Sequence, residues 1–441
     1  MTDIEAPEIA AATSAEAPHP ATVAPTQSPA SSPAHALTPL AAAALLAACG
    51  GGGGGDSGSN AAAAPPVGVV DFSTAGFSYP AAATNEDAAR FLQQAQFSST
   101  TAEINELRGM SYAQWLANQF VRYQGITGWN WLESRGYGAV DNNSYFFNHY
   151  PADFMIWSQL LSGPDMMRKR IALALSEFFV SSLASAEFTW RAHAYASWWD
   201  MLMRNAFGSY RTLLEDVTLH PAMGYFLNTK GNQKENSAGR VPDENYAREV
   251  MQLFTLGVYE LNLDGTVKTS GGVPLETYTQ ADVTGLARVF TGYDFDTSDG
   301  VRHTPPGQSY TIESRTFASK RMSFNASRHS MLEARFLGTT VPANTAGATA
   351  LKMALDTLFN HPNAGPFFAR QMIQRLVTSN PSPAYVARVA ARFNDNGAGV
   401  RGDLKAVWVA ILLDDEARGP GSLQSTTFGK LREPMLRFVQ W

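Results

Sequence analysis

Apolar residues recur along this chain at helical spacing. Ile171, Ala174, Leu175, Phe178 and Phe179 fall at i, i+3, i+4, i+7 and i+8, which puts them on one face of a helix. The same register is repeated by Leu351, Ala354, Leu355, Leu358 and Phe359, and by Ala369, Met372, Ile373, Leu376 and Val377. It returns in Val386, Val389, Ala390 and Phe393, and again in Leu404, Val407, Trp408, Ile411 and Leu412. Start signals agree with the periodicity. Pro164 with Asp165 and Pro242 with Asp243 open two helices, and Thr279 with Asp282 forms a T-x-x-D capping box ahead of Val283, Leu286, Ala287 and Phe290. One β-hairpin is expected over Val258–Thr269, where Asp264-Gly265 sits between short alternating runs as a type I′ turn signal. From about Asp294 to Asn344 no helical period is sustained, and Thr, Ser, Pro and Gly predominate, as in a loop or small β insertion. The predicted fold class is therefore mainly α, a multi-helix orthogonal bundle with a small β-hairpin and an irregular insertion.

The N-terminal stretch breaks this pattern. Residues 1–66 hold no Lys or Arg and five acids (Asp3, Glu5, Glu8, Glu16 and Asp56), and nearly all large aromatic residues come later. Such a segment cannot bury enough apolar surface to offset chain entropy. Of the 39 acids, 34 remain to face 33 bases, so the rest of the chain carries a formal charge of −1 and lacks the basic excess of a nucleic-acid binder. The apolar run from Ala36 to Ala48 has the length of a signal-peptide core, and Leu46-Ala47-Ala48-Cys49 resembles a lipobox. Cys49, the only cysteine, is thus the expected lipidation site; it also excludes an intramolecular disulfide and a multi-thiolate zinc site. Residues 1–48 are read as a signal-like leader, 49–68 as the lipobox and a Gly/Ala/Pro-rich tether, and 69–441 as one helical domain. Against export stands the absence of any base before the apolar core, where four acids occur instead. The apparently helical stretch LREPMLRFVQW stops at Trp441 without a cap, which predicts a truncated C-terminus.

Several familiar chemical signals fail. GDSG at Gly55–Gly58 lies in the tether, where no triad could be held, and there is no HExxH, phosphate-binding Gly-rich loop or GxGxxG. DFDTSDG, from Asp294 to Gly300, has misplaced acids for a calcium loop, and Pro305 stands where Glu is needed. More informative is the helix expected from Asp243 onward. Its apolar side is Tyr246, Val250, Leu253, Phe254 and Gly257, while Glu244, Asn245, Arg248, Glu249 and Gln252 share the opposite arc. In one reading Glu244 and Arg248 are simply an i, i+4 ion pair on a solvated face. In the other, Arg248 clamps an anionic group and Glu249 acts as an acid/base. His220 and His361 each precede Pro and are expected to cap helices; His149 reads as a turn residue and His193 as a helix residue of core or surface. His329, in the irregular segment, is the better general-base candidate.

The blocks DENYAREVMQLFTLG, TYTQADVTGLARVFTGY, RHSMLEARFLG and LFNHPNAGPFFARQMIQRLVTSNPSP, with RKRIALALSEFFV and HPAMGYFLN, closely resemble the bacterial family called domain of unknown function 1800. The resemblance covers roughly Asn85 to Trp441 and centres the family signature on Asn245, Arg248 and Glu249. It implies export, often with a lipid anchor or a twin-arginine leader, though the twin arginine is absent here. It also implies a gene neighbour encoding an exported sulfatase-like or alkaline-phosphatase-like protein. Family members usually continue past the point matching Trp441, which agrees with truncation. No activity follows from the family. Two readings stand: an envelope enzyme of hydrolase type using His329 or His220 with Glu249 and Arg248, and a non-catalytic binding or assembly partner of the phosphatase/sulfatase-like protein. Glu244, Asn245 and Asn228 are the expected binding residues. No cofactor and no metal ligand set is assigned, although His220, Glu249 and His329 are residue types that could form a metal centre.

Overall fold

The computed structural model describes residues 77–441. The leader, Cys49 and the tether expected over 49–68 lie outside the described residues. Four helices come first: α1 (Asn85–Ala95), α2 (Thr101–Arg108), α3 (Tyr112–Val121) and α4 (Gly128–Ser134). A second group follows with α5 (Tyr150–Leu161), α6 (Met166–Phe178), α7 (Arg191–Asn205), α8 (Tyr210–Leu219) and α9 (Pro221–Phe226). α10 (Asn245–Gln252) and α11 (Gln280–Val289) flank the hairpin region. After the irregular insertion come α12 (Gly347–Asn360), α13 (Ala364–Leu376), α14 (Pro383–Asn394), α15 (Leu404–Leu413), α16 (Asp415–Arg418), α17 (Gly421–Gln424) and α18 (Pro434–Gln440). None of these helices is long and apolar enough to cross a membrane.

α7 runs through the core with every residue buried except Arg191 and Arg204, and α4, α5 and α6 pack on it. A helix buried all round must satisfy its polar side chains internally. Here His193 bonds Glu133 at 3.1 Å, Asp200 accepts from the backbone N–H groups of Gly128 (2.7 Å) and Trp129 (2.9 Å), and Asn205 donates to Asp216 at 2.8 Å. Burial holds the His193 imidazole down to about pH 4 despite the adjacent Glu133, so at neutral pH this contact is a hydrogen bond and not an ion pair. Burial likewise pushes the Asp200 carboxyl up to about 6.

The five helical stripes read from the sequence face the core, with Phe359 alone only partly buried. The Thr279/Asp282 capping box is present, and the Asp282 carboxylate also accepts from Leu337 N at 2.7 Å. That second bond ties the start of α11 to the insertion. Pro164-Asp165 opens α6, and Asp165 spends its charge on Lys169, 3.3 Å away in a fully buried pair.

Strands are short and paired antiparallel: β1 (Thr269–Ser270) with β2 (Val273–Pro274), β3 (Tyr293–Asp294) with β6 (Ser323–Phe324), β4 (Arg302–His303) with β5 (Ile312–Glu313), and β7 (Ala334–Phe336) with β8 (Thr339–Val341). The hairpin is where the sequence placed it, but its turn differs. Asn262 N bonds Thr266 O at 2.8 Å and Gly265 N bonds Asn262 O at 3.0 Å, closing a three-residue loop with Gly265 in the left-handed region at φ +76°. This is the bulged turn that a single left-handed Gly supports, in place of the two-residue type I′ turn expected from Asp264-Gly265. The Asp294–Gly300 run serves local structure: Asp296 and Asp299 accept from nearby hydroxyls, and Asp294 pairs with Lys230 and Arg328.

Candidate functional site

α10 begins at Asn245, two residues beyond Asp243, because Asp243 Oδ1 accepts the Asn245 N–H at 2.8 Å and so satisfies an otherwise orphan donor. Asp243 Oδ2 accepts from Asn228 Nδ2 at 3.3 Å, with Asn228 itself left-handed at φ +62°. Asn228 and Asn245 thus meet at Asp243. Tyr246, Val250 and Phe254 are buried as expected. Leu253 is not: the helix stops at Gln252, the register is lost, and Leu253 is 45% exposed.

The opposite arc meets α11. Glu244 accepts from Thr284 Oγ1 (2.7 Å) and Gln280 Nε2 (2.7 Å), and lies 3.2 Å from Arg248 Nη2, which also donates to Gln280 Oε1 at 3.0 Å. Hydrogen bonds, the Thr284 hydroxyl first among them, hold the Glu244 carboxyl below its usual range. Gln252 accepts from the Tyr278 hydroxyl at 2.7 Å. Gln280, Thr284 and Tyr278 were not among the sequence candidates. Glu249 stands apart: it is half-buried and its carboxylate has no partner among the described residues. Desolvation raises its pKa against the pull of Arg248.

Neither candidate histidine joins this arc. His220 caps α9, its Nδ1 accepting from Ala222 N at 3.2 Å and its Nε2 lying 3.3 Å from Ser197 Oγ, and burial drives its pKa down to about 3. Both ring nitrogens are engaged, Nδ1 in the helix cap and Nε2 with Ser197. His329 is buried beside Phe324, its Nδ1 lying 3.0 Å from the Thr291 carbonyl and 3.2 Å from the Thr291 hydroxyl. His220, Glu249 and His329 share no partner, and among the described residues no three His, Asp or Glu side chains are grouped to hold a metal. His361 accepts from Asn363 N at 3.1 Å before α13, and His149 precedes the first residue of α5.

A second feature has no counterpart in the sequence reading. α5 turns Met155 and Leu160 inward, yet Tyr150 (37% exposed), Phe154 (54%), Trp157 (37%) and Leu161 (53%) face outward at i, i+4, i+7 and i+11. The rings form a run, Tyr137 to Tyr145 to Tyr150 to Phe154, with centroids 5.0, 6.4 and 5.6 Å apart, and Trp157 meets Phe438 of α18 at 5.5 Å. The sequence profile of the family described as "Protein of unknown function (DUF1800)" matches residues 90–441. The chain belongs to this family. In this DUF1800 chain both the polar arc of α10 and the aromatic stripe of α5 lie inside the matched region. No curated protein and no solved structure matches it.

Proposed function

We propose that this chain is an exported envelope protein that works by binding a secreted partner, through the aromatic stripe of α5. The observation that carries the reading is the outward row Tyr150, Phe154, Trp157 and Leu161. Contiguous exposed aromatics on a folded surface mark interaction sites, and Tyr, Trp and Phe are the residues that interface cores favour. The polar arc of α10 supports the same reading, since Arg248 and Glu244 are held by each other and by α11 instead of converging with a histidine on a pocket. Anchoring at Cys49 would hold the domain at a bacterial membrane surface, and the partner class is a phosphatase-like or sulfatase-like exported protein. Site-specific photocrosslinking in the native envelope tests this. A photoreactive residue at position 154 or 157 is expected to capture that partner, whereas one at Lys352, 73% exposed on α12, is not. Equal capture from position 352, or adducts formed only with other copies of this chain, would refute it.

A second reading, a hydrolase-type enzyme, is favoured by one observation. Glu249 is an unpartnered, half-buried carboxyl with a raised pKa beside Arg248, which is the arrangement of a general acid/base next to an anion clamp. Loss of a measured hydrolytic activity in Glu249→Gln, with the melting profile intact, would support it.

A further inference from the structure

α1 presents Arg90 and Gln94, four residues apart, toward Arg170 of α6 and the end of α13, while the segment leading into α18 contributes Lys430 and Arg432. Together they line a recess of about 260 Å³, and no Asp or Glu is among its lining residues. Two of the four cations are balanced nearby: Arg90 lies 3.5 Å from Asp87, and Lys430 lies 2.6 Å from Glu433. The other two hydrogen-bond only neutral groups, with Glu433 acting on both from a distance. Arg432 donates to Gln440 Oε1 at 2.8 Å, and Arg170 donates from Nη2 to the Arg375 carbonyl at 2.6 Å.

Arg170 is 2% exposed, and among the described residues its Nη1 has no hydrogen-bond partner; the same holds for a second guanidinium donor, Arg90 Nε. Burial lowers the Arg170 pKa to about 10, with Glu177 and Glu433 opposing from beyond ion-pair distance and Arg432 adding repulsion. The side chain is therefore charged at neutral pH. A buried guanidinium without a direct ion pair is costly unless something else meets its donors. Arg418 shows the contrast. It is equally buried with unbonded nitrogens, but its guanidinium lies over the rings of Phe91 (5.2 Å) and Tyr112 (5.9 Å). Arg170 has no such ring among the described residues.

We propose that this recess binds a doubly charged oxyanion, namely inorganic phosphate, sulfate or the phosphoryl group of a monoester. Arg170 and Arg432 make no direct ion pair, the four cations of the recess outnumber Asp87 and Glu433 by two, and the planar guanidinium forks suit tetrahedral oxygens. The volume is near the lower end of small-molecule sites, about 300 Å³, so the recess accommodates an ion or a small ester. The neighbouring larger recess carries Asp415 and Glu416 and would repel the same ligand.

Calorimetric titration of the full chain at fixed ionic strength, with sodium phosphate, sulfate, glycerol phosphate and succinate as separate probes, tests the site. Saturable binding of one dianion per chain is expected. Binding of phosphate or sulfate alone assigns a free ion, and binding of glycerol phosphate as well assigns an ester; both support the site. Arg432→Gln, a half-exposed change expected to keep the melting profile, should weaken binding at least about tenfold, and Arg170→Met should do the same or more. Arg335→Gln, 74% exposed in β7, should change nothing. Absence of saturable heat with every probe at millimolar concentration, binding of succinate as tight as phosphate, or unchanged affinity in Arg432→Gln would overturn the assignment.

Discussion

Gly285 allows α11 and the insertion to touch. A Cβ built there would lie 1.9 Å from the Arg335 carbonyl oxygen in β7, whereas comfortable heavy-atom contact needs about 3.5 Å. Gly285→Ala therefore forces strand and helix apart by roughly 1.5 Å. Overpacking of this kind costs about 1–3 kcal/mol. The displacement also strains two hydrogen bonds, Leu337 N to Asp282 Oδ1 (2.7 Å) and Arg288 Nη1 to Glu333 O (2.7 Å). Each contributes about 1 kcal/mol or more. Against this stands the helix propensity of Ala over Gly, about 1 kcal/mol. The clash wins, and the variant should lose about 2–4 kcal/mol in urea unfolding at pH 7. A variant as stable as the parent, or stabilised by the propensity gain, would refute the close approach on which the description of α11 and β7 rests.

Other outcomes follow from the buried polar groups. Lys169→Met leaves Asp165 buried without its 3.3 Å partner and should cost about 3–5 kcal/mol, while Lys169→Met/Asp165→Asn, which removes both charges, should recover most of that in the same unfolding assay. His193 and His220, with pKa values lowered from 6.5 to about 4 and about 3, favour the fold only while neutral. Their contribution, roughly 3–5 kcal/mol each at 1.36 kcal/mol per unit, is present above pH 6.5 and is lost as pH falls toward 4 and 3. Urea midpoints should accordingly drop between pH 7 and pH 4.5, with a shallower slope in His220→Asn; an unchanged slope would remove His220 from the account. Phe154→Ser, at an exposed position, should change stability by no more than about 1 kcal/mol in thermal melts, and Trp157→Ser, which also loses the Phe438 ring contact, by about 1–2 kcal/mol, whereas Phe91→Ala in the core should cost about 3–5 kcal/mol.

What was legible in the sequence was whatever depends on spacing within one element. The stripes of α6, α13, α14 and α15 bury their apolar faces because every third or fourth residue returns to the same side. The Thr279/Asp282 box and the His220 cap are equally local. The outward stripe of α5 was not legible for a physical reason: its sequence, YPADFMIWSQLL, is apolar on both sides, and periodicity cannot say which side meets water. In the polar arc, the Glu244–Arg248 pair could be read from i, i+4 spacing, but the Gln280 and Thr284 clamp comes from 32 to 40 residues further along the chain. The recess around Arg170 draws on still more distant elements. Of the candidate histidines, His220 is spent on the cap that its place before Pro221 announces, whereas His329 is held by Thr291, 38 residues away, which no local pattern shows.

The most direct test of the binding account is an affinity measurement between the full chain and a purified exported phosphatase-like or sulfatase-like protein of the proposed partner class. The account predicts saturable binding that weakens by at least about 30-fold in Phe154→Ser/Trp157→Ser, as loss of interface hot spots does, and is unchanged in Glu249→Gln. Binding that survives the double substitution, or that is lost in Glu249→Gln alone, would contradict it.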